Sequence, residues 1–137
     1  MSEVSKNSTA AGNVLLVEDD KFLRLLVKTA LEREGVQIIF DTSSVSEALM
    51  FAKKLGPKAA VIDYNLGPGP NGIDLANELR KHDPNIGIVL LTTYLNPTEL
   101  PMRFGKLPHG TRFVTKDRLS DIAILVKEIE AATPEVA

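Results

Sequence analysis

The fold is decided by the stretch NVLLVEDDKFLRLLVKTALEREGVQIIF, which occupies residues 13–40. A short apolar run stops at three consecutive acids, an amphipathic segment follows, and a second apolar run closes the stretch. Apolar side chains recur at helical spacing in the middle segment, which predicts strand, helix and strand in that order. Gly35 stands where a left-handed residue commonly ends a helix. The predicted boundaries are residues 14–17, 21–34 and 36–40.

The same alternation continues over the rest of the chain. Gly56 follows the next amphipathic segment, and Ser44 with Glu47 has the spacing of a helix capping box. Strands that alternate with helices form a parallel sheet covered on both faces, so we predict a doubly wound α/β fold. The further predicted strands are residues 59–62, 86–91 and 112–115, and the further predicted helices are residues 45–55, 73–81 and 119–132.

One predicted helix is irregular. The segment 96–108 carries Pro101 and Gly105 where a helix interior would lie, so we predict a short or irregular fourth helix there. Residues 1–12 are small and polar and predict a flexible tail. We therefore expect one domain over residues 13–132, a short tail over residues 133–137, and no output domain.

Composition excludes several classes of site. The chain has 137 residues, a hydrophobic fraction of 44% and a formal net charge of −2, which gives no general attraction to nucleic acid or anionic membrane. It has no cysteine and two histidines, so a zinc site or a thiolate nucleophile is not expected. No apolar run is long enough for a membrane span and no signal peptide is evident, so we expect a cytoplasmic protein.

The predicted strands end in polar residues. Because ligands of parallel α/β sheets bind at the carboxyl ends of the strands, these residues should converge on one crevice. Crowded carboxylates repel one another unless a hard divalent cation binds, and Mg²⁺ (or Mn²⁺) suits oxygen ligands and phosphate. Asp63 would then attack a phosphoryl group, Lys116 would neutralise its charge, and the hydroxyl of Thr92 or Thr93 would donate a hydrogen bond to it. The residues at the strand ends are Glu18, Asp19 and Asp20, then Asp63, then Thr92 and Thr93, and finally Lys116.

Four segments of the chain resemble, in order and spacing, the signatures of response-regulator receiver domains. The resemblance covers about residues 13–132 and implies a flavodoxin-like (βα)₅ fold with five parallel strands. The matching segments are VLLVEDD at 14–20, VIDYNL at 61–66, VLLTT at 89–93 and RFVTK at 112–116.

The resemblance implies a role for each matched residue. Asp20 lies one step beyond the acidic metal pair and is not expected to be a direct ligand. By resemblance, Glu18 and Asp19 are the metal pair, Asp63 is the phosphoacceptor and third ligand, Asn65 supplies a backbone carbonyl to the metal, Thr92 and Phe113 are the switch residues, and Lys116 contacts the phosphoryl group.

The resemblance also implies partners. A sensor histidine kinase or a phosphotransfer protein would donate the phosphoryl group, and a downstream protein would read the region Thr111–Val126. We expect no direct nucleic-acid or membrane contact, a possible homodimer, and no enzymatic role beyond the protein's own phosphorylation and dephosphorylation.

Three departures separate the chain from the family pattern. Asp117 stands where the family usually has proline, the loop 66–72 is about two residues longer, and proline interrupts the segment 96–108. They leave open a degenerate receiver that acts as a phosphorylation-independent interaction module.

Two further classes of protein fit the residues less well. A phosphatase of the haloacid dehalogenase type would need a second Asp where Asn65 stands, and the acids at residues 18–20 would repel the phosphate of a flavodoxin-like cofactor carrier. Phe113 could equally be a static core residue, and the sequence leaves the role of Tyr94 open. We assign no role to His82 or His109.

Overall fold

A computed structural model of the chain describes residues 13–67, 69–93 and 107–132. In this part of the chain five strands alternate with helices. The elements are β1 (Asn13–Val17), α1 (Lys21–Arg33), β2 (Gln37–Thr42), α2 (Val45–Leu55), β3 (Ala59–Asp63), α3 (Gly72–His82), β4 (Gly87–Thr92), β5 (Arg112–Thr115), a 3₁₀ turn (Lys116–Ser120) and α4 (Ile122–Ala132).

The strands form one parallel sheet in the order β2-β1-β3-β4-β5. The strand order reverses between β1 and β3, so the crevice at their carboxyl ends is the topological switch point where ligands of such sheets bind. Asp63 ends β3 opposite Leu91 of β4, and Thr92 of β4 pairs with Thr115 of β5. The predicted doubly wound, flavodoxin-like sheet is confirmed.

Each face of the sheet buries its own apolar cluster. On one face, alternate residues of the central strands pack against α2 and α3 through side chains such as Ala48 and Leu79. On the other face, the intervening residues pack against α1 and α4 through side chains such as Leu31 and Leu125. Because β1, β3 and β4 are apolar toward both faces, the sheet is held rigidly, and the polar residues that follow these strands are placed by a fixed frame.

Two predicted boundaries need correction. Strand β2 runs on to Thr42, two residues beyond the predicted end, because both added side chains have polar partners: Asp41 pairs with α1, and the Thr42 hydroxyl donates to Glu47. The last helix begins at Ile122 and not at 119, since residues 116–120 form the 3₁₀ turn and Asp121 Oδ1 accepts a hydrogen bond from the amide of Ala123.

The helix ends were partly predicted. Gly35 and Gly56 both have positive φ, at 88° and 59°, as expected for residues that end helices. Ser44 caps α2 by accepting from the amide of Glu47, but the Glu47 carboxylate accepts instead from the Thr42 hydroxyl. The predicted irregular helix at 96–108 lies almost wholly outside the described residues, and so do both predicted tails.

Within the described ranges, none of the helices combines the length and the apolar character that a membrane crossing requires.

Candidate functional site

Glu18 is the most deeply buried acid of the site. It follows β1 directly, and its side chain is 0% exposed. Its backbone N–H donates to the carbonyl of Thr42 at 3.0 Å, and its Oε2 accepts from the amide of Asp20 at 3.0 Å. Its Oε1 has no hydrogen-bond partner among the described residues. A buried carboxylate oxygen without a donor is costly, which indicates that this oxygen is arranged to meet a further positive group.

The other two acids after β1 have different surroundings. Asp20 is the N-cap of α1, and its Oδ1 accepts from the amides of Phe22 and Leu23 at 2.9 and 3.2 Å. Its side chain therefore caps α1, which agrees with the expectation that Asp20 is not a direct metal ligand. Asp19 is exposed, and its carboxylate lies beside Gly67 in the loop after β3.

Asp63 and Lys116 meet at the centre of the site. Asp63 is only 3% exposed, and its Oδ2 lies 3.0 Å from Nζ of Lys116. The same ammonium lies 3.7 Å from Oε1 of Glu18, which is within ion-pair distance but too far for a hydrogen bond. Lys116 therefore reaches both carboxylates although Asp117, and not proline, follows it.

The strand ends enclose a crevice of about 220 Å³. Thr92 is 1% exposed and Thr93 is exposed, so Thr92 lies in the deeper part of the wall. Tyr64 adds an aromatic side chain to it. The crevice is lined by Glu18, Asp19, Asp20, Asp63, Tyr64, Asn65, Thr92, Thr93 and Lys116.

Burial controls the protonation of Glu18. Loss of hydration raises the pKa of its carboxyl from 4.5 to about 7. The hydrogen bond from the Asp20 amide opposes this rise, the neighbouring Asp63 reinforces it, and Lys116 lowers it again. The ionised form of Glu18 is therefore destabilised by burial, and a bound cation would stabilise it.

The loop after β3 is held by hydrogen bonds from backbone amides to side-chain oxygens. The amide of Asn65 donates to Asp63 Oδ1 at 3.2 Å, and Asn65 Oδ1 accepts from the amide of Gly67, which has φ of 86°. Asn71 and Asp74 then form a capping box at the start of α3. These contacts orient the Asp63 carboxylate from the loop side and bring the start of α3 against its backbone.

Phe113 lies outside the crevice in this structure. It is partly buried and packs against the apolar cluster on the α2 and α3 face. Because β5 pairs Phe113 with Leu90 and Thr115 with Thr92, Phe113 and Thr92 project toward the same face of the sheet. The two proposed switch residues are thus near neighbours on that face.

The crevice suits a small hard cation with a partial set of protein ligands. The described residues contain no group of three or more Asp, Glu, His or Cys side chains arranged as a complete ligand set for one metal ion. Mg²⁺ keeps several waters, so it does not require a complete set of protein side chains. Oε1 of Glu18, which has no hydrogen-bond donor among the described residues, lies beside Asp63 and fits such an ion.

The sequence interpretation missed Arg24 and Gly72, which contact the backbone of two site residues without lining the crevice. Arg24 donates to the backbone carbonyl of Glu18 and pairs with Asp41 on β2, and Gly72 packs directly on the backbone of Asp63. An available signal was Asp41 itself, a charged residue placed directly after an apolar strand run.

Comparison with known proteins agrees with this geometry. The family model described as "Response regulator receiver domain" matches residues 14–121. The chemotaxis protein CheY of Thermotoga maritima is 32% identical over 77 residues, which cover 56% of this chain and 63% of that protein. A putative transcriptional regulator of Pseudomonas aeruginosa is 30% identical over 120 residues, which cover 86% of this chain and 56% of that protein. The chain thus spans less than two thirds of the length of both relatives.

A relative of similar length and two solved structures extend the likeness. Sporulation initiation phosphotransferase F of Bacillus subtilis is 26% identical over 110 residues, which cover 79% of this chain and 87% of that protein. The receiver domain of a modulated diguanylate cyclase from Desulfovibrio desulfuricans G20 has a TM-score of 0.74 at 24% identity, covering 88% of this chain and 92% of that one. The response regulator domain of Thermotoga maritima CheB has a TM-score of 0.71 at 21% identity, covering 91% and 98%. The chain belongs to the response regulator receiver domain family of two-component signalling.

Proposed function

We propose that the chain is a phosphorylation switch that accepts one phosphoryl group on Asp63 in a reaction that needs a divalent cation. The observation that carries the proposal is the contact of 3.0 Å between Lys116 Nζ and Asp63 Oδ2 at the floor of the crevice. An acid that is almost fully buried, paired with one ammonium and open to solvent only through a small crevice, is arranged to react there.

The reaction is a transfer between two side chains. The phosphorus–nitrogen bond of a donor phosphohistidine breaks, and a bond forms between the phosphorus and a carboxylate oxygen of Asp63. The electron pair of the broken bond returns to the imidazole nitrogen, which takes up a proton. Lys116 neutralises charge on the transferring group because its ammonium already lies within ion-pair distance of Asp63.

Glu18, Asp19, Asp63 and the backbone carbonyl of Asn65 would hold the cation, Mg²⁺ or Mn²⁺. When bound, the cation supplies positive charge that offsets the negative charge of the phosphoryl oxygens. Glu18 supports this assignment because its Oε1 is buried and has no hydrogen-bond donor among the described residues. Asp20 is left out of the ligand set because its carboxylate caps α1.

Phosphorylation would be read through Thr92 and Phe113. Thr92 lines the crevice at the end of β4, where its hydroxyl can donate to an oxygen of the new acyl phosphate. Phe113 projects toward the same face and would change its packing when Thr92 moves, which shifts the balance between two conformations. In this proposal the chain acts on no other substrate.

The surface beside the crevice supports docking of a protein donor. Phe22, Leu25 and Leu26 are 81%, 62% and 67% exposed, and they form one apolar face on the first turns of α1. We name these three residues the α1 patch. Exposed apolar side chains clustered beside a reactive crevice indicate a protein contact surface. The occupant would be the protein that brings phosphohistidine to Asp63, a sensor histidine kinase or a phosphotransfer protein.

The downstream protein would bind the region Thr111–Val126. This region contains β5, which lies at one edge of the sheet, and the start of α4. In this proposal the receiver domain spans residues 13–132, works in the cytoplasm, and passes its signal by contact with another protein or a second copy of itself. Substitutions across Thr111–Val126 that left every partner interaction intact would contradict this assignment.

The first test is intact mass after incubation with Mg²⁺ and acetyl phosphate. The proposal expects a gain of one phosphoryl group in the wild type, no gain without Mg²⁺, and no gain in Asp63→Asn. Asp74→Asn is a matched control because Asp74 is an exposed acid in the capping box of α3. Absence of an adduct in the wild type would favour a degenerate receiver that binds its partners without phosphorylation.

A further inference from the structure

We propose that Arg24 is a positioning residue that fixes the acidic pair Glu18 and Asp19 for cation binding. The inference rests on the proposed function, since it takes the crevice to bind a divalent cation. Its starting point is a hydrogen bond of 2.9 Å from Nη1 of Arg24 to the backbone carbonyl of Glu18. The backbone N–H of Glu18 is already bound to the carbonyl of Thr42, so both backbone polar groups of Glu18 are held.

Arg24 is itself oriented by a second contact. Its Nε lies 3.2 Å from Oδ2 of Asp41 on β2, and the Lys28 ammonium lies 3.1 Å from Oδ1 of the same carboxylate. The guanidinium therefore connects the strand β2 with the peptide after β1. The guanidinium presents donors on different nitrogens in one rigid plane, so Nε and Nη1 can hold both acceptors at once.

The position of Asp19 depends on this connection. The carbonyl of Glu18 and the nitrogen of Asp19 belong to one planar peptide group, which Arg24 holds, and the amide of Asp20 is held by Glu18 Oε2. With the peptide groups on both sides of Asp19 held, the direction in which its side chain leaves the backbone is restricted. The Glu18 side chain is held by burial, whereas Asp19 is exposed and relies on its backbone. Groups behind metal ligands that orient them in this way affect metal affinity without touching the metal.

The direction of the change in Mg²⁺ affinity on removing Arg24 distinguishes a positioning role from an effect of its charge alone. Arg24 is positive and lies close to the acidic crevice, so its charge alone opposes the binding of a second cation. If Arg24 contributed only charge, its removal would strengthen Mg²⁺ binding. If Arg24 positions the acidic pair, its removal weakens Mg²⁺ binding.

The experiment compares Mg²⁺ affinity by titration calorimetry on the full chain at constant ionic strength. Arg24→Met should raise the dissociation constant for Mg²⁺ by about tenfold or more, the range for groups that orient ligands. Lys28→Met is the matched control because it removes the same charge from the same partner, Asp41, and should change the constant by less than about twofold. Arg24→Lys should bind Mg²⁺ about as weakly as Arg24→Met, since a single nitrogen does not reproduce the planar spacing of Nε and Nη1 that Asp41 and the Glu18 carbonyl contact.

Folding is checked on the same samples by far-ultraviolet circular dichroism and thermal unfolding. If Arg24→Met does not fold, the double variant Asp41→Asn/Lys28→Met replaces it. This variant keeps Arg24 and the net charge and removes the carboxylate that orients the guanidinium, so it too should weaken Mg²⁺ binding. If the wild type binds Mg²⁺ and Arg24→Met binds it as tightly as Lys28→Met does, the positioning role of Arg24 is overturned and the proposed function is not. A wild type that binds no Mg²⁺ would overturn the proposed function and this inference together.

Discussion

Gly72 lies so close to Asp63 that a methyl group on Gly72 would overlap the backbone carbonyl oxygen of Asp63. The same methyl group would also come within 2.9 Å of the Tyr64 Cα atom. Gly72 opens α3, and its amide donates to the carbonyl of Tyr64 at 2.8 Å. The close approach of α3 to the end of β3 therefore fixes where the backbone of Asp63, the proposed phosphoacceptor, lies relative to the crevice.

Gly72→Ala should destabilise the protein by about 2 kcal/mol or more, because rigid backbone atoms must move to admit the methyl group. Its phosphorylation rate should fall as well, since the displaced atoms belong to Asp63. Gly56→Ala is the control: its Cβ would meet no atom within 4 Å, so it carries only the strain of a φ of 59°, about 1 kcal/mol. Urea unfolding measures both variants, and equal losses would show that the contact with Asp63 is not critical.

The pH dependence of stability should report the burial of Glu18. Burial raises the pKa of this carboxyl from 4.5 to about 7, so between these values the folded protein binds more protons than the unfolded chain. The stabilising contribution of the protonated group is complete below pH 4.5 and is lost as the pH rises through about 7. In metal-free buffer, Glu18 alone should lower the free energy of unfolding by up to about 3 kcal/mol across this window.

Glu18→Gln should flatten this part of the pH profile, because the amide does not titrate. The measurement is urea unfolding of both proteins at several pH values between 4.5 and 8, in the presence of a chelator. If the two proteins showed the same slope, the carboxyl would not carry the raised pKa.

Lys116→Met should slow phosphorylation by acetyl phosphate by about a hundredfold to a thousandfold, the scale for loss of a preorganised donor at the reacting group. The variant should also lose stability above pH 7, because the carboxylates of Asp63 and Glu18 are then left without their shared ammonium. Lys81→Met is the control, since Lys81 forms only an exposed pair with Glu78 on α3. Time courses of intact mass would give the rates, and equal rates in the two variants would count against Lys116.

The α1 patch should matter for a protein donor and not for a small one. Replacing Phe22 and Leu26 by alanine should slow transfer from a phosphohistidine protein by about tenfold or more, since both are large exposed side chains on the helix that begins directly after Asp20, a residue of the crevice wall. Labelling by acetyl phosphate should remain unchanged. Met50→Ala is the control because Met50 is exposed on α2, and a loss of labelling with both donors would indicate damage to the crevice itself.

Much of the fold could be predicted from the chain because its signals are local. Continuous apolar runs at β1, β3 and β4 reflect burial on both faces, and Gly35 and Gly56 stand at the helix ends. The end of β2 was missed because Asp41 and Thr42 are polar, and they remain in the strand only through partners elsewhere in the chain. The start of α4 was missed because the 3₁₀ turn continues the helical spacing.

The sequence by itself determined the alternation of strands and helices, and it determined which residue types follow each strand. Those are local properties, set by periodicity and by the side chains present. Only the tertiary structure decided that Glu18 is fully buried with one oxygen that lacks a hydrogen-bond donor among the described residues, that Asp20 caps α1, and that Lys116 contacts Asp63. Distances between residues far apart in the chain depend on the packing of both sheet faces, and Arg24 and Gly72 act through such contacts, which no local pattern encodes.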